Sequence, residues 1–370
     1  MQKSSRKFYF ANPRAQYLEM KEEIDEAISS VLNSETYILG NQVEIFEKEF
    51  AEYIGQDFTV GVNSGTDALI LSLRALNIGE GDEVIIPSFT AVATAAAVVA
   101  VGAVPVYLDI SRETYTLDPD LLDAALSAKT KAVILVHLYG HPARAKDVAE
   151  WCLNHSLFLI EDCAQAHGAE IDGSRVGTFG TLACFSFYPT KNLGGIGDGG
   201  AITTSDEQIN LKLRKLRQYG WAETRNSQVV SQISRLDELQ AAILRVKLRH
   251  LEANNKKRSV LARTYSEFLD SSRFVLPVTR PGCKHVFHLY VVRVSDREKY
   301  LRELPKVNVF PGIHYEWPVH LNDAYSSKIG RVSGSLINTE MAAKTVLSLP
   351  MYPELTSEEV QYISEVVNNV

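Results

Sequence analysis

Residues 58–76 read "FTVGVNSGTDALILSLRAL". The β-branched "FTVGVN" reads as a short strand, and "SGTDALILSLRAL" as the helix that follows it. The alternation continues to about residue 205. "KAVILVHLYG" precedes the helical "AKDVAEWCLNH", and "LFLIEDCA", "LACFSFY" and "GAITTS" follow as further strands. Strands and helices alternating at this spacing predict an α/β fold: a mostly parallel central sheet with helices on both faces.

Working outward, Val84–Leu108 carries no charged residue, which is long enough to raise a membrane span. Pro87, Gly102 and Pro105 divide it instead into strand "VIIP", a helix near Thr94–Val101 and strand "PVYLD", elements whose faces an α/β interior would cover. The N-terminal "MQKSSRKFYFANPRAQY" has no apolar signal core, so a cytoplasmic location is expected. A long amphipathic stretch from about Arg235 to Leu269 reads as helix with a break. "HVFHLYVVRV" then alternates like a half-buried strand, and "TSEEVQYISEVVNNV" reads as a terminal helix opened by a capping box at Thr356 or Ser357. These patterns predict a large domain over residues 1–250, arm and first helix included, and a smaller C-terminal α/β domain over residues 251–370. The arm could pack on either.

The chain has 370 residues, 45% of them hydrophobic, and a formal charge of −7, a balance that does not point to nucleic acid or an anionic membrane as partner. Cys152, Cys163, Cys184 and Cys283 are scattered, without a CxxC pair. They read as buried free thiols, and no metal site is expected.

In open parallel sheets ligands sit beyond the carboxyl ends of the strands, and three groups fall there. Ser64-Gly65-Thr66 opens a helix, where backbone N–H groups and the hydroxyls of Ser64 and Thr66 could hold a phosphate; plain N-capping by Ser64 is the simpler alternative. Asp162 closes an apolar strand, and a buried carboxylate needs a partner, either a structural arginine or a protonated ring nitrogen. Gln165, three residues on, offers an amide to a ring substituent. Lys191, with Ser186 before it, enters a stretch holding glycines 194, 195, 197, 199 and 200. Burial and nearby cations would lower its pKa toward that of a nucleophile. A phosphate cup, an acidic partner for a pyridine nitrogen and a lysine for a Schiff base are together what pyridoxal 5′-phosphate requires.

"NSGTDAL", "GDEVIIPSFTAVAT", "HLYG", "IEDCAQAHGA", "FSFYPTKNLG", "GDGGA", "SRLDELQAAIL" and "HVFHLYVVR" resemble, in that order and over nearly the whole chain, the DegT/DnrJ/EryC1/StrS sugar aminotransferases. The likeness is nearest to the subgroup acting on dTDP-linked 3-keto-deoxyhexoses. It implies a fold-type-I pyridoxal-phosphate transferase that moves an amino group from L-glutamate to a nucleotide-linked keto sugar. Lys191 would hold the cofactor and shuttle the proton. Asp162 would keep the pyridine nitrogen protonated, and Gln165 would bond the ring hydroxyl. Gly65, Thr66 and Ser186, with Ser64 nearby, would bind the phosphate. Tyr315 and His320, in "GIHYEWPVH", match a segment lining the sugar side in relatives, or are a core aromatic and a surface histidine. The resemblance also implies a homodimer with active sites at the subunit interface. The stripe Leu236, Leu239, Ala242, Ile243 and Val246 suits a helix near that interface or one buried inside a subunit.

Two positions depart from the family pattern. Ile233 stands where relatives carry an asparagine that reaches the neighbouring subunit's cofactor phosphate; either Gln232 or Asn226 substitutes, or the contact is lost. Ala91 stands where many relatives stack a ring on the cofactor, and Phe89 is a candidate replacement. A sugar dehydratase is disfavoured, because such relatives have histidine at the place of Lys191. Amination at C4, a UDP-linked substrate and a non-catalytic regulatory role remain as alternatives.

Overall fold

The computed structural model describes residues 6–222, 224–326 and 328–370; the first five residues of the arm lie outside it. The uncharged stretch forms strand Glu83–Pro87, helix Val92–Ala100 and strand Val104–Leu108. No helix among the described residues is long and apolar enough to cross a membrane.

The main sheet has eight strands among these residues. Their order is Arg331–Val332, Val104–Leu108, Glu83–Pro87, Thr130–Val136, Phe158–Asp162, Leu182–Ser186, Gly200–Thr204 and Phe58–Val62. All run parallel except Gly200–Thr204, which is antiparallel to both neighbours. Alternate residues feed two apolar layers. Val84, Ile86 and Ile134 enter one, while Ile85, Val133 and Leu135 enter the other. Buried on both faces, the middles of these strands need no polar side, which is why residues 84–87, 104–108 and 132–136 carry no charge.

Helix Glu238–Phe268 runs 31 residues without interruption, so the expected break is absent. Its Ile243 and Val246 pack on Met20 and Ile24 of the same chain; that part of the apolar stripe is covered within one subunit. A third apolar cluster joins Leu261 and Tyr265 of this helix to the antiparallel pair Tyr290–Arg293 and Val346–Leu349, and to helix Ser357–Asn369. Thr356 caps that last helix in a capping box with Glu359. The N-terminal segment serves both regions: Phe8–Tyr9 pairs with Val309–Phe310, while Phe46 and Phe50 of helix Asn41–Ile54 pack edge-on against Phe187 of the lysine loop. The free cysteines Cys152, Cys163 and Cys184 are buried, and Cys283 is half-buried.

Candidate active site

Strand register assembles the site. Gly200 lies opposite both Val62 and Ser186, so the start of helix Gly65–Ala75 and the end of strand Leu182–Ser186 meet across one reversed strand. The approach is close: a Cβ on Gly65 would fall 2.7 Å from Ser186 Cβ, and one on Gly200 would fall 2.4 Å from the Ser64 carbonyl carbon. Only glycine allows this contact. One strand further in, Asp162 pairs with Cys184 and Val136, which puts its carboxylate on the same sheet end.

Ser64, Gly65, Thr66, Asp162, Gln165, Ser186 and Lys191 line a single cavity of about 240 Å³, with Thr90, Ala91, Tyr188 and Asp198. Ser64 does cap its helix, its Oγ accepting from the Asp67 N–H at 3.1 Å. The capping and cup readings are therefore compatible: the cap uses the third N–H of the helix and leaves those of Gly65 and Thr66 for an anion.

Asp162 is buried, with 5% of its surface exposed. It accepts from the Ala164 N–H at 3.1 Å and the Thr94 hydroxyl at 3.2 Å. Burial raises its pKa, opposed by the Ala164 N–H, the Lys191 charge and the Thr94 hydroxyl. Lys191 is half-open to the cavity, and burial brings its pKa down to about 8 while Asp162 pulls it back up. At neutral pH about a tenth of the amine is then free to attack a carbonyl.

Behind Lys191 lies a polar lattice that sequence reading missed. Asn192 Nδ2 donates to Asn255 Oδ1 at 2.8 Å and to the Val286 carbonyl at 3.0 Å, and its Oδ1 meets His288 Nδ1 at 3.2 Å. Asn255 in turn donates to the His167 carbonyl at 2.8 Å. Beneath Asp162, Glu161 accepts from the N–H groups of Gly177, Phe179 and Gly180 and pairs with His137 Nε2 at 3.0 Å. His137 Nδ1 accepts from the Ala143 N–H. Thr94 was missed too; the hydroxyls of Thr90 and Thr94, one turn apart at 3.2 Å in an otherwise apolar segment, were its signal.

Other expectations change. Phe89 is wholly buried, its ring 6.3 and 6.4 Å from those of Tyr115 and Tyr315; it packs in the core and does not replace the ring missing at Ala91. Tyr315 is not on the cavity wall but bonds Gln165 Nε2 at 2.8 Å. His320 is buried, not a surface residue, and its Nδ1 lies 2.6 Å from Ser88 Oγ. Gln232 is engaged within its own chain, its amide 3.4 Å from both Asp67 and Arg74. Ile233 is exposed.

This sheet end, with a lysine of lowered pKa facing a buried carboxylate and a helix start, has the groups of a pyridoxal-phosphate enzyme. The chain belongs to the DegT/DnrJ/EryC1/StrS aminotransferase family, whose model matches residues 18–368. It is 44% identical over 359 residues to dTDP-3-amino-3,4,6-trideoxy-alpha-D-glucose transaminase of Streptomyces venezuelae, covering 97% of this chain and 94% of that one. It is 42% identical to UDP-N-acetyl-3-dehydro-alpha-D-glucosamine 3-aminotransferase of Acidithiobacillus ferrooxidans, covering 96% and 95%. The crystal structure of S. venezuelae DesV with a ketimine intermediate superposes with a TM-score of 0.95 at 44% identity, covering 99% of this chain and 98% of that one.

The residues fit the cofactor. Among the described residues no salt bridge reaches Asp162, so a buried carboxylate stands ready for a cationic ring nitrogen. The glycine-permitted cleft between Gly65 and Ser186 gathers N–H and hydroxyl donors suited to a phosphate.

Proposed function

We propose that the protein transfers the amino group of L-glutamate to the ketone of a nucleotide-linked keto-deoxysugar in amino-sugar biosynthesis, with C3 of a dTDP-3-keto-6-deoxyhexose as the acceptor. The convergence of Lys191, Asp162 and the Gly65–Thr66 helix start on one cavity carries the reading. Pyridoxal 5′-phosphate supplies, when bound, an aldehyde to receive the amino group and a ring that delocalises charge from the reacting carbon. Lys191 would hold the cofactor at its aldehyde carbon and carry the proton on its Nζ. Asp162 would keep the ring nitrogen protonated, and Gln165 would donate to the ring hydroxyl. The N–H groups of Gly65 and Thr66 and the hydroxyls of Thr66 and Ser186 would hold the phosphate, with Ser64 bracing the helix start. Tyr315 and His320 belong to the segment closing the sugar side; His320, tied to Ser88, holds it on the sheet end.

The choice of dTDP and C3 leans on the likeness to the Streptomyces transaminase. A UDP-linked acceptor is the second reading, favoured by nearly equal likeness to the Acidithiobacillus enzyme. The test is incubation of the holoenzyme with glutamate and a panel of dTDP- and UDP-linked keto sugars, followed by identification of the amino sugar. Turnover of UDP substrates alone would replace the first reading by the second; turnover of none would overturn both.

The same reading makes the protein a cytoplasmic homodimer with shared active sites. Exposed Tyr37, Ile38 and Val230, the last 99% exposed, supply apolar surface for a partner. Mass in solution tests this, and a monomer with full cofactor affinity would refute it. The division into units of residues 1–250 and 251–370 is likewise proposed, and fragments from limited proteolysis would test it.

A further inference from the structure

We propose that Tyr315 and Tyr139 are positioning residues that lock the Gln165 amide with an N–H turned into the cavity, so that this corner accepts only a hydrogen-bond acceptor, the cofactor's ring oxygen. The inference rests on the pyridoxal-phosphate reading above. The Tyr139 backbone N–H donates to Gln165 Oε1 at 2.7 Å. A backbone N–H can only donate, so the amide atom facing it must be oxygen, and the amide orientation is settled. Nε2 then has two hydrogens to place. One goes to Tyr315 Oη at 2.8 Å; the other is left for the cavity that Gln165 lines.

The far end of the arrangement is held as well. The Tyr139 hydroxyl donates to the carbonyl of His314, the residue before Tyr315. Tyr139 thus grips Gln165 with its backbone and the Tyr315 segment with its side chain, closing a ring of three residues from separate parts of the chain. The backbone is shaped for this grip: Tyr139 adopts φ +60° and Gly140 φ +93°, and a Cβ on Gly140 would fall 3.0 Å from the Gln165 carbonyl. Tyr139 and Gln165 are buried at 3% and 5% exposure. Burial pushes the Tyr315 hydroxyl up to about 12, so it stays a neutral phenol whose oxygen accepts from Nε2. A flipped amide would set N–H against N–H and leave buried groups unpaired.

The test is a pH titration of the holoenzyme's visible cofactor band, with thermal stability followed alongside. A donor at the ring oxygen favours its anionic form and lowers the midpoint; loosening that donor raises it. Tyr315→Phe should move the midpoint up by about half to one pH unit, the size of one hydrogen bond. Gln165→Leu should move it at least as far, and the double variant no further than Gln165→Leu, because Tyr315 acts through Gln165. If Tyr315→Phe does not fold, Tyr139→Phe, which cuts the tether to His314, should give a smaller shift of the same sign. An unmoved midpoint under an intact band, a loss of stability without a shift, or full additivity in the double variant overturns the proposal. A wild-type holoprotein with no visible band would overturn the pyridoxal-phosphate reading itself and this inference with it.

Discussion

The two sides of Lys191 are built differently. In front, the cavity is made from strand ends and a helix start, and its polar groups are only partly used: Asp162 has two donors and, among the described residues, no salt bridge, and Gly65 and Thr66 offer N–H groups. Behind, the amides of Asn192 and Asn255 and the ring of His288 hold one another and the backbone, although the ring nitrogens of His167 have no hydrogen-bond partner among the described residues. Unused hydrogen-bonding capacity on the front marks where a ligand binds. The paired amides on the back mark what holds the lysine still.

The contrast breaks most decisively at Lys191. Lys191→Ala should abolish turnover, and borohydride should fix the cofactor in the wild type on a peptide containing Lys191; labelling of another lysine would refute its role. Asp162→Asn keeps the shape but removes the charge, and amination should fall by on the order of 10² or more. Near-full activity would mean that the front wall does not work through that charge. On the back wall, Asn192→Leu leaves several buried partners unpaired, so chemical denaturation should show a loss of about 2–4 kcal/mol with the visible band still formed. Unchanged stability would erase the distinction between the two sides.

A pH profile sharpens it further. With the Lys191 pKa brought down to about 8 by burial, the apoprotein should take up pyridoxal phosphate about tenfold faster at pH 9 than at pH 7, with little gain beyond, since only the neutral amine attacks. The sign carries over to stability. The folded pKa lies below the ordinary 10.5, so the apoprotein should lose stability as pH falls from 10.5 toward 8 and lose no more from this group below that. An uptake rate still climbing at pH 10 would show an unshifted lysine. The smallest effect belongs to the proposed subunit boundary. Ile233→Asn should tighten pyridoxal-phosphate binding by up to roughly tenfold by adding an amide donor to the phosphate. An unchanged affinity in a dimer would mean that another residue already fills that place.

How far each part was legible follows from the range of the interactions that made it. "NSGTDAL", "LIEDCAQ" and "FYPTKN" each place chemistry at a strand end, and the periodicity of strand and helix sufficed to bring Ser64, Asp162 and Lys191 to one side of one sheet. "HVFHLYVVRV" shows the opposite case. Its alternation predicts one strand, yet only Tyr290–Arg293 is a strand. Val286 and His288 leave the pattern because they face Asn192.

The sequence by itself determined the alternating architecture, the three chemical groups and the family, because local periodicity and ordered motifs carry all of these. Only the tertiary structure decided that Phe89 turns into the core, that Tyr315 reaches Gln165 and not the cavity, and that the long helix runs unbroken. Phe89 meets Tyr315, and Tyr315 meets Gln165, across more than a hundred residues of chain. Such meetings are set by packing and by the pairing of buried polar groups, and neither leaves a periodic trace in the sequence.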